Sequence, residues 1–381
     1  MSTNDPALDL LKRLVAIDSV NPSLVVGAAG EGAIARALVD ELQASGLEVH
    51  LQEVVPGRPN VVGVLEGRAP GRSLMFCGHT DTVGVAGMTR PFDPAEQNGR
   101  LYGRGSQDMK SGVAAMVAAA RQIAESGGLD SGRLIVACVV DEEHASLGAE
   151  ALVTRWRADA GVVTEPTDLA VAVAHKGFEW VEVETEGRAA HGSRPRDGRD
   201  AILRMGRVLN ELENLDRHLQ AGPSHRLVGS ASLHTSLIEG GRELSSYPDR
   251  CSLQIERRSI PGEPEGVASR EVGRILEALR ARDPEFVAAS RTMFARAPYE
   301  IDPGHELPMS LARAAAAVGH TSSTIGMSFW TDAAILGAAG IPSVLFGPTG
   351  AGLHGLEEWV DTQSVLTCRD ALVELARGWC R

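Results

Sequence analysis

The chain has 381 residues, 43% of them apolar and 23% charged, and a formal net charge of −13. These proportions are those of an ordinary soluble globular protein, and the length allows two domains or three. With no basic block or tail, a nucleic-acid partner is not expected. The N-terminal stretch MSTNDPALDLLKRLVAID is polar and then amphipathic, and lacks an apolar segment followed by a cleavage site. Neither a secretory signal nor a membrane-spanning segment is therefore expected, and no membrane partner. Cys77, Cys138, Cys251, Cys368 and Cys380 are scattered without paired spacing. They read as buried or incidental thiols of a reducing compartment, which makes the expected localisation cytoplasmic.

In chain order, residues 6–21 carry apolar side chains at helical spacing, and 30–46 form a second amphipathic helix closed by Gly46. Strand-like runs follow at 47–55, 60–66 and 73–77, and the small-residue segment 110–127 predicts a helix able to pack closely on a sheet. The continuous apolar run RLIVACVV, 133–140, fits a central strand covered on both faces. A helix at 148–156 and a buried strand at 160–163 complete this half. Near His175 the pattern changes: 178–186 alternates apolar and polar residues, as a half-exposed strand does. Helix 200–215, strands 231–238 and 250–258, helix 266–282 and a strand at 287–294 then read as a ferredoxin-like α+β insert. Beyond Pro303 the first pattern returns, with helices 307–318 and 332–339, a strand at 341–346, the loop GPTGAGLHG and a closing helix 362–379. The expected fold class is α/β. A mixed, mostly parallel sheet domain (1–174 and 291–381) is interrupted by an α+β insert (175–290).

Ligand-type residues collect at the strand ends of the α/β half, where open sheets place their chemistry. His79 and Asp81 follow the run 73–77, and Asp108 lies in the Gly-rich turn GRGSQDMK before helix 110–127. Glu142 and Glu143 end the run 133–140, Glu165 ends the strand 160–163, and His354 sits in the late glycine loop. Two imidazoles among several carboxylates suit zinc, and also admit cobalt or manganese. The surplus of carboxylates over the three ligands of a single catalytic zinc points to two metals bridged by one carboxylate, with one Glu left as a base. Taken singly, each residue also has a structural reading: a common His-x-Asp, a solvated pair of glutamates, a strand end, a turn histidine. The glycine loop lacks the Lys-Ser/Thr of a phosphate loop, which argues against nucleotide binding.

The strings GHTDTV, GRGSQDMKSG, DEEHASLGA, TEPT and GLHGLEEWV, in that order, resemble the co-catalytic zinc aminoacylase family. That family holds acetylornithine deacetylase, succinyl-diaminopimelate desuccinylase, aminoacylase and glutamate-type carboxypeptidases. The resemblance implies two divalent metal ions, most often Zn2+, with Asp108 bridging and followed by a cis peptide. Glu165 and His79 would complete one metal, Glu143 and His354 the other. Asp81 would fix the His79 ring, and Glu142 would be the general base. In the insert, GRAAHGSRP and DRCSLQIERRSIPGE resemble a loop and a strand of the family. They imply that His191 reaches a partner subunit's site to stabilise the oxyanion, that Arg258 grips the substrate carboxylate, and that the insert is a dimerisation or lid domain. The implied reaction is hydrolysis of an N-acyl amino acid or dipeptide-like amide. A carboxypeptidase-like enzyme, a carbamoyl- or allantoate-type amidohydrolase and a non-catalytic metal-binding relative remain as alternatives.

Overall fold

A computed structural model describes residues 5–381. They fall into two compact units, one built from the chain up to Val173 with Ile301–Ile325 and Thr331–Arg381, the other from Ala174–Glu300 with Gly326–Trp330.

The first unit is organised on a sheet whose strands lie in the order Glu48–Val55, Arg58–Glu66, Arg133–Val139, Ser73–His79, Ala160–Val163, Ser343–Leu345, Val171–His175. The middle of this sheet is dry: Leu74 to Cys77 and Leu134 to Val140 are buried throughout. This is the environment their unbroken apolar runs call for, since side chains on both faces of a central strand must leave water. Helices Pro6–Val15, Lys110–Glu125, Glu306–Ala317 and Thr362–Trp379 pack as a contiguous layer, while Leu147–Arg155 and Ala333–Ala338 pack together elsewhere on the sheet.

The sheet is mixed, as expected, but parallel pairings are not its majority. Among the described residues, the three pairings that link Arg133–Val139, Ser73–His79, Ala160–Val163 and Ser343–Leu345 are parallel. Glu48–Val55 and Arg58–Glu66 form an antiparallel hairpin across Pro56–Gly57, where Gly57 takes φ +79, and Arg58–Glu66 is antiparallel to Arg133–Val139 as well. A two-residue link can join only antiparallel neighbours. Sequence reading also missed a small sheet, Gly350–Ala351, Trp359–Asp361, Arg100–Tyr102 and Ala95–Gln97.

Two glycines allow close approach near Glu165. A Cβ on Gly112 would lie 1.9 Å from the Thr164 carbonyl oxygen, and one on Gly347 would lie 2.2 Å from that of Glu165. Helix Lys110–Glu125 and the strand-end loop after Ser343–Leu345 therefore reach this backbone only because both positions lack a side chain.

The second unit is an antiparallel sheet in the order Ser232–Gly240, Arg250–Ser259, Gly177–Glu186, Val287–Arg296, packed on helices Ala201–Ala221 and Val267–Arg282. Val181, Val183, Leu253 and Ile255 from the sheet meet Met205, Val208, Val272 and Leu276 from the helices in its core. The expected boundary at 290 falls inside Val287–Arg296, a strand paired along its length with Gly177–Glu186, so the unit runs on to Glu300.

His175 of this unit is fully buried beside the rings of Tyr299 and Trp330, at 5.9 and 6.1 Å. Its Nδ1 donates to the Lys176 carbonyl at 2.9 Å, and burial pushes its pKa down from 6.5 to about 4. Above pH 6.5 the ring is neutral in both folded and unfolded chains. Below it only the unfolded chain binds the proton, so stability falls by about 3 kcal/mol by pH 4 from this group. The His175→Gln variant is expected to lose less stability than wild type in urea denaturation between pH 7 and pH 4. Equal losses in the two proteins would contradict this assignment.

Candidate metal centre

Seven of the expected residues meet in the first unit. His79 closes strand Ser73–His79, Glu142 and Glu143 follow strand Arg133–Val139, and Glu165 follows Ala160–Val163. These are neighbouring parallel strands, so their carboxyl ends deliver the side chains to one place. Asp108 precedes helix Lys110–Glu125, and its peptide bond to Met109 is cis. His354 lies at φ +57 in the loop between Gly350–Ala351 and Trp359–Asp361. Trp359–Asp361 pairs with Arg100–Tyr102, so the small sheet brings the His354 loop beside the segment leading to Asp108.

Asp108 stands between the two imidazoles. Its Oδ1 is 3.0 Å from His79 Nε2 and its Oδ2 3.4 Å from His354 Nε2. On the His354 side, Glu143 Oε2 lies 3.1 Å from the ring. On the His79 side, Glu165 Oε1 and Glu142 Oε2 lie 3.8 and 3.9 Å from Nε2. Two sets of atoms have the spacing of metal ligands, His79 with Asp108 and Glu143, and His79 with Glu142 and Glu165.

The electrostatics call for cations. Asp81, Asp108, Glu142, Glu143 and Glu165 gather around the His79 and His354 imidazoles, and every one of these acids has little or no exposed side chain. Among the described residues no donor reaches the buried Glu143 Oε1, an acceptor that a hard or borderline cation would satisfy. Without such a cation, burial and the neighbouring Asp108 push the Glu143 pKa up to about 7. Burial likewise raises Glu142 and Glu165 well above the usual carboxylate range. His354 is raised to about 10 by Asp108 and Glu143. For His79, burial opposes protonation, but Asp108 and Asp81 outweigh it and raise its pKa. A bound divalent cation reverses the sign of each effect, keeping carboxylates ionised and rings neutral.

Asp81 does more than the sequence suggested. The His79 Nδ1 lies 3.0 Å from the backbone carbonyl of Asp81 and 3.6 Å from its carboxylate. A carbonyl acceptor at Nδ1 places the proton there and leaves the lone pair on Nε2, the atom that could then face a metal. The carboxylate itself accepts from Asn21 Nδ2 at 2.8 Å and from the consecutive amides of Glu142 and Glu143, both at 3.1 Å. Asp81 thus orients the ring through its main chain and holds the glutamate pair through its side chain.

Glu358, which sequence reading quoted but gave no role, is buried and organises the Asp108 turn. Its carboxylate accepts from the amides of Gly105, Gln107 and Asp108 at 3.0, 2.9 and 3.1 Å, and from Arg104 Nη1 at 2.6 Å. Only four residues after His354, it couples the positions of His354 and Asp108. Buried Lys110 ties the same turn to the Ile17 carbonyl at 2.8 Å. No local pattern marks Glu358, because its partners lie some 250 residues earlier.

His191 and Arg258 belong to the second unit and are not part of this cluster. His191 is exposed, its Nδ1 2.8 Å from Ser193 Oγ. Arg258 is half-buried, with Nε donating to Glu256 at 2.6 Å, its guanidinium 5.3 Å from the Phe178 ring, and its terminal amino groups making no hydrogen bond among the described residues. Its neighbour Arg257 is fully buried and committed to Glu263 and Glu271.

The sequence profile of peptidase family M20/M25/M40 matches residues 75–378. The N-formyl-4-amino-5-aminomethyl-2-methylpyrimidine deformylase of Bacillus subtilis is 28% identical over 372 residues, covering 89% of this chain and 87% of that protein. Acetylornithine deacetylase of Myxococcus xanthus is 30% identical over 353 residues, covering 89% and 90%. A tripeptidase from Staphylococcus aureus shares the fold with a TM-score of 0.81 at 21% identity, over 99% of this chain and 98% of that one. A dinuclear metal-binding peptidase from Bacillus subtilis does so with a TM-score of 0.76 at 15% identity, over 98% and 97%. The matched stretch runs from strand Ser73–His79 to the last helix and contains every residue of the cluster except Asn21, which supports it from outside. The chain belongs to peptidase family M20/M25/M40 and is a metal-dependent hydrolase.

Proposed function

We propose that this protein hydrolyses the amide bond of N-acyl amino acids at a pair of divalent metal ions, with Glu142 as general base. The observation that carries the reading is the posture of Asp108, one oxygen toward each imidazole, with a separate carboxylate beside each ring. In this assignment Asp108 would be shared by the two ions, His79 and Glu165 would hold one, and Glu143 and His354 would hold the other. Zinc suits the two-nitrogen, carboxylate-rich donor set, and cobalt or manganese fit it as well. When bound, the ions supply Lewis acidity toward the amide carbonyl and acidify the attacking water.

The chain's own residues then perform the proton transfers. Glu142 takes a proton from the water as its oxygen attacks the carbonyl carbon, and returns it to the amine nitrogen as the C–N bond breaks. The products are a carboxylic acid and a free amine, so atoms and protons balance. Arg258, whose terminal amino groups make no hydrogen bond among the described residues, would receive a substrate carboxylate. His191 would stabilise the oxyanion from a partner subunit.

The relatives named above, a deformylase and a deacetylase that each span nine-tenths of the chain, favour deacylation over release of a C-terminal amino acid from a peptide. The completeness of the cluster argues against a non-catalytic relative. A homodimer formed by the second unit is part of the proposal. Leu203 on helix Ala201–Ala221 and Leu237 and Ile238 on the sheet's edge strand are exposed, an apolar surface suited to a second copy. Sedimentation of a monomer at micromolar concentration would remove the dimer and with it the His191 role. No helix among the described residues is long and apolar enough to cross a membrane. The five cysteines are free and buried, as suits the cytoplasmic location proposed here. The reading is tested with N-acetyl, N-formyl and N-succinyl amino acids beside dipeptides, each with zinc and with cobalt. Turnover is expected on one N-acyl class, and turnover confined to dipeptides would replace deacylase with peptidase.

A further inference from the structure

Behind the metal cluster lies a second set of buried polar groups that the proposed chemistry does not use. Asn21, Glu31, Arg58 and Asp141 are all buried. Arg58 binds Glu31 through Nε at 2.6 Å and Nη2 at 2.7 Å, and the same Nη2 lies 2.8 Å from Asp141 Oδ1 and 3.1 Å from Asn21 Oδ1. Asn21 Oδ1 also accepts from the Ser23 amide at 2.8 Å. With its oxygen committed to two donors, the Asn21 amide has a fixed orientation. Its Nδ2 must then face two acceptors, Asp81 Oδ2 at 2.8 Å and Asp141 Oδ1 at 3.1 Å. Asp141 directly precedes the glutamate pair and takes φ +68, while its amide donates to Glu31 Oε1 at 3.2 Å. A left-handed non-glycine residue persists where its surroundings over-determine it.

We infer that Arg58 is a positioning residue. Through Asn21 and Asp141 it fixes the Asp81 carboxylate and the backbone of residues 141–143, and so sets where Glu142 and Glu143 stand around the metal pair. The inference rests on the metallohydrolase reading above. A purely structural ion network would hold the fold without affecting the metal environment, and the two roles separate experimentally. Lysine keeps the charge, but a single ammonium cannot span Glu31, Asp141 and Asn21 together as a planar fork does.

The test uses the full-length protein loaded with cobalt, whose visible absorption reports ligand geometry, beside steady-state kinetics. Arg58→Lys is expected to bind cobalt with an altered absorption band and to lose about 10- to 100-fold in kcat, with KM changed less than about 3-fold. Leu10→Ala, which empties a buried site in helix Pro6–Val15, is the control for lost stability and should keep the wild-type band. Should Arg58→Lys fail to fold, Asn21→Ser breaks the same link without stranding a charge and carries the same expectation. A wild-type band and wild-type kcat in the folded variant, with only a lower urea midpoint, would overturn the inference alone. A wild-type protein that binds no cobalt would instead remove the metallohydrolase reading, and this inference with it.

Discussion

Glu142→Gln is expected to lower kcat by about 10^3-fold while both metal ions stay bound, a loss within the range for removing a general base. The substitution keeps the side chain's shape but removes its charge and its ability to accept a proton. Glu142 Oε2 and Glu165 Oε1 lie 3.9 and 3.8 Å from His79 Nε2, so it is the metal count of the variant, and not distance, that tells the base from the ligand. The Asp81 carboxylate holds the Glu142 amide, so the backbone has no reason to move in the variant. Kinetics together with elemental analysis of the same preparation separate the possible outcomes. Loss of a metal along with activity would make Glu142 a ligand, a role its spacing with His79 and Glu165 also permits. Full activity would end its candidacy as base.

His354→Ala is expected to reduce metal content from two ions per chain to about one, and activity by about 100-fold or more. His354 is the cluster's most exposed member, with 55% of its side chain accessible. Removing it opens no core cavity, and the unfolding midpoint should change little. The ion lost should be the one beside Glu143, since the His79 side keeps Asp108 and Glu165. Two tightly held ions in the variant would show that His354 does not ligate.

Much of the centre was legible in the sequence because its chemistry is local. His79, Glu142, Glu143 and Glu165 each end an apolar run, and such runs announce buried parallel strands whose ends must lie together. Asp108 was marked by the glycine-rich turn ahead of a small-residue helix. The groups that hold these residues in place were not legible. Arg58, Asn21 and Glu31 lie on three separate segments, and only folding brings them behind Asp81. Glu358 acts on amides at the other end of the chain, and Trp359–Asp361 pairs with Arg100–Tyr102 over a separation no window of sequence can span. The share of antiparallel strands in the sheet was hidden for a related reason. Apolar runs report burial, whereas direction is set by connections such as the Pro56–Gly57 turn.

If two divalent ions held by His79, Asp108, Glu143, Glu165 and His354 make this protein an amide hydrolase, stripping it with a chelator and titrating zinc back should abolish and then restore hydrolysis of N-acetyl amino acids. Activity should be absent without metal and should rise to a plateau at about two equivalents per chain. Full hydrolysis by the stripped protein, or a plateau reached before any metal is bound, would contradict the claim.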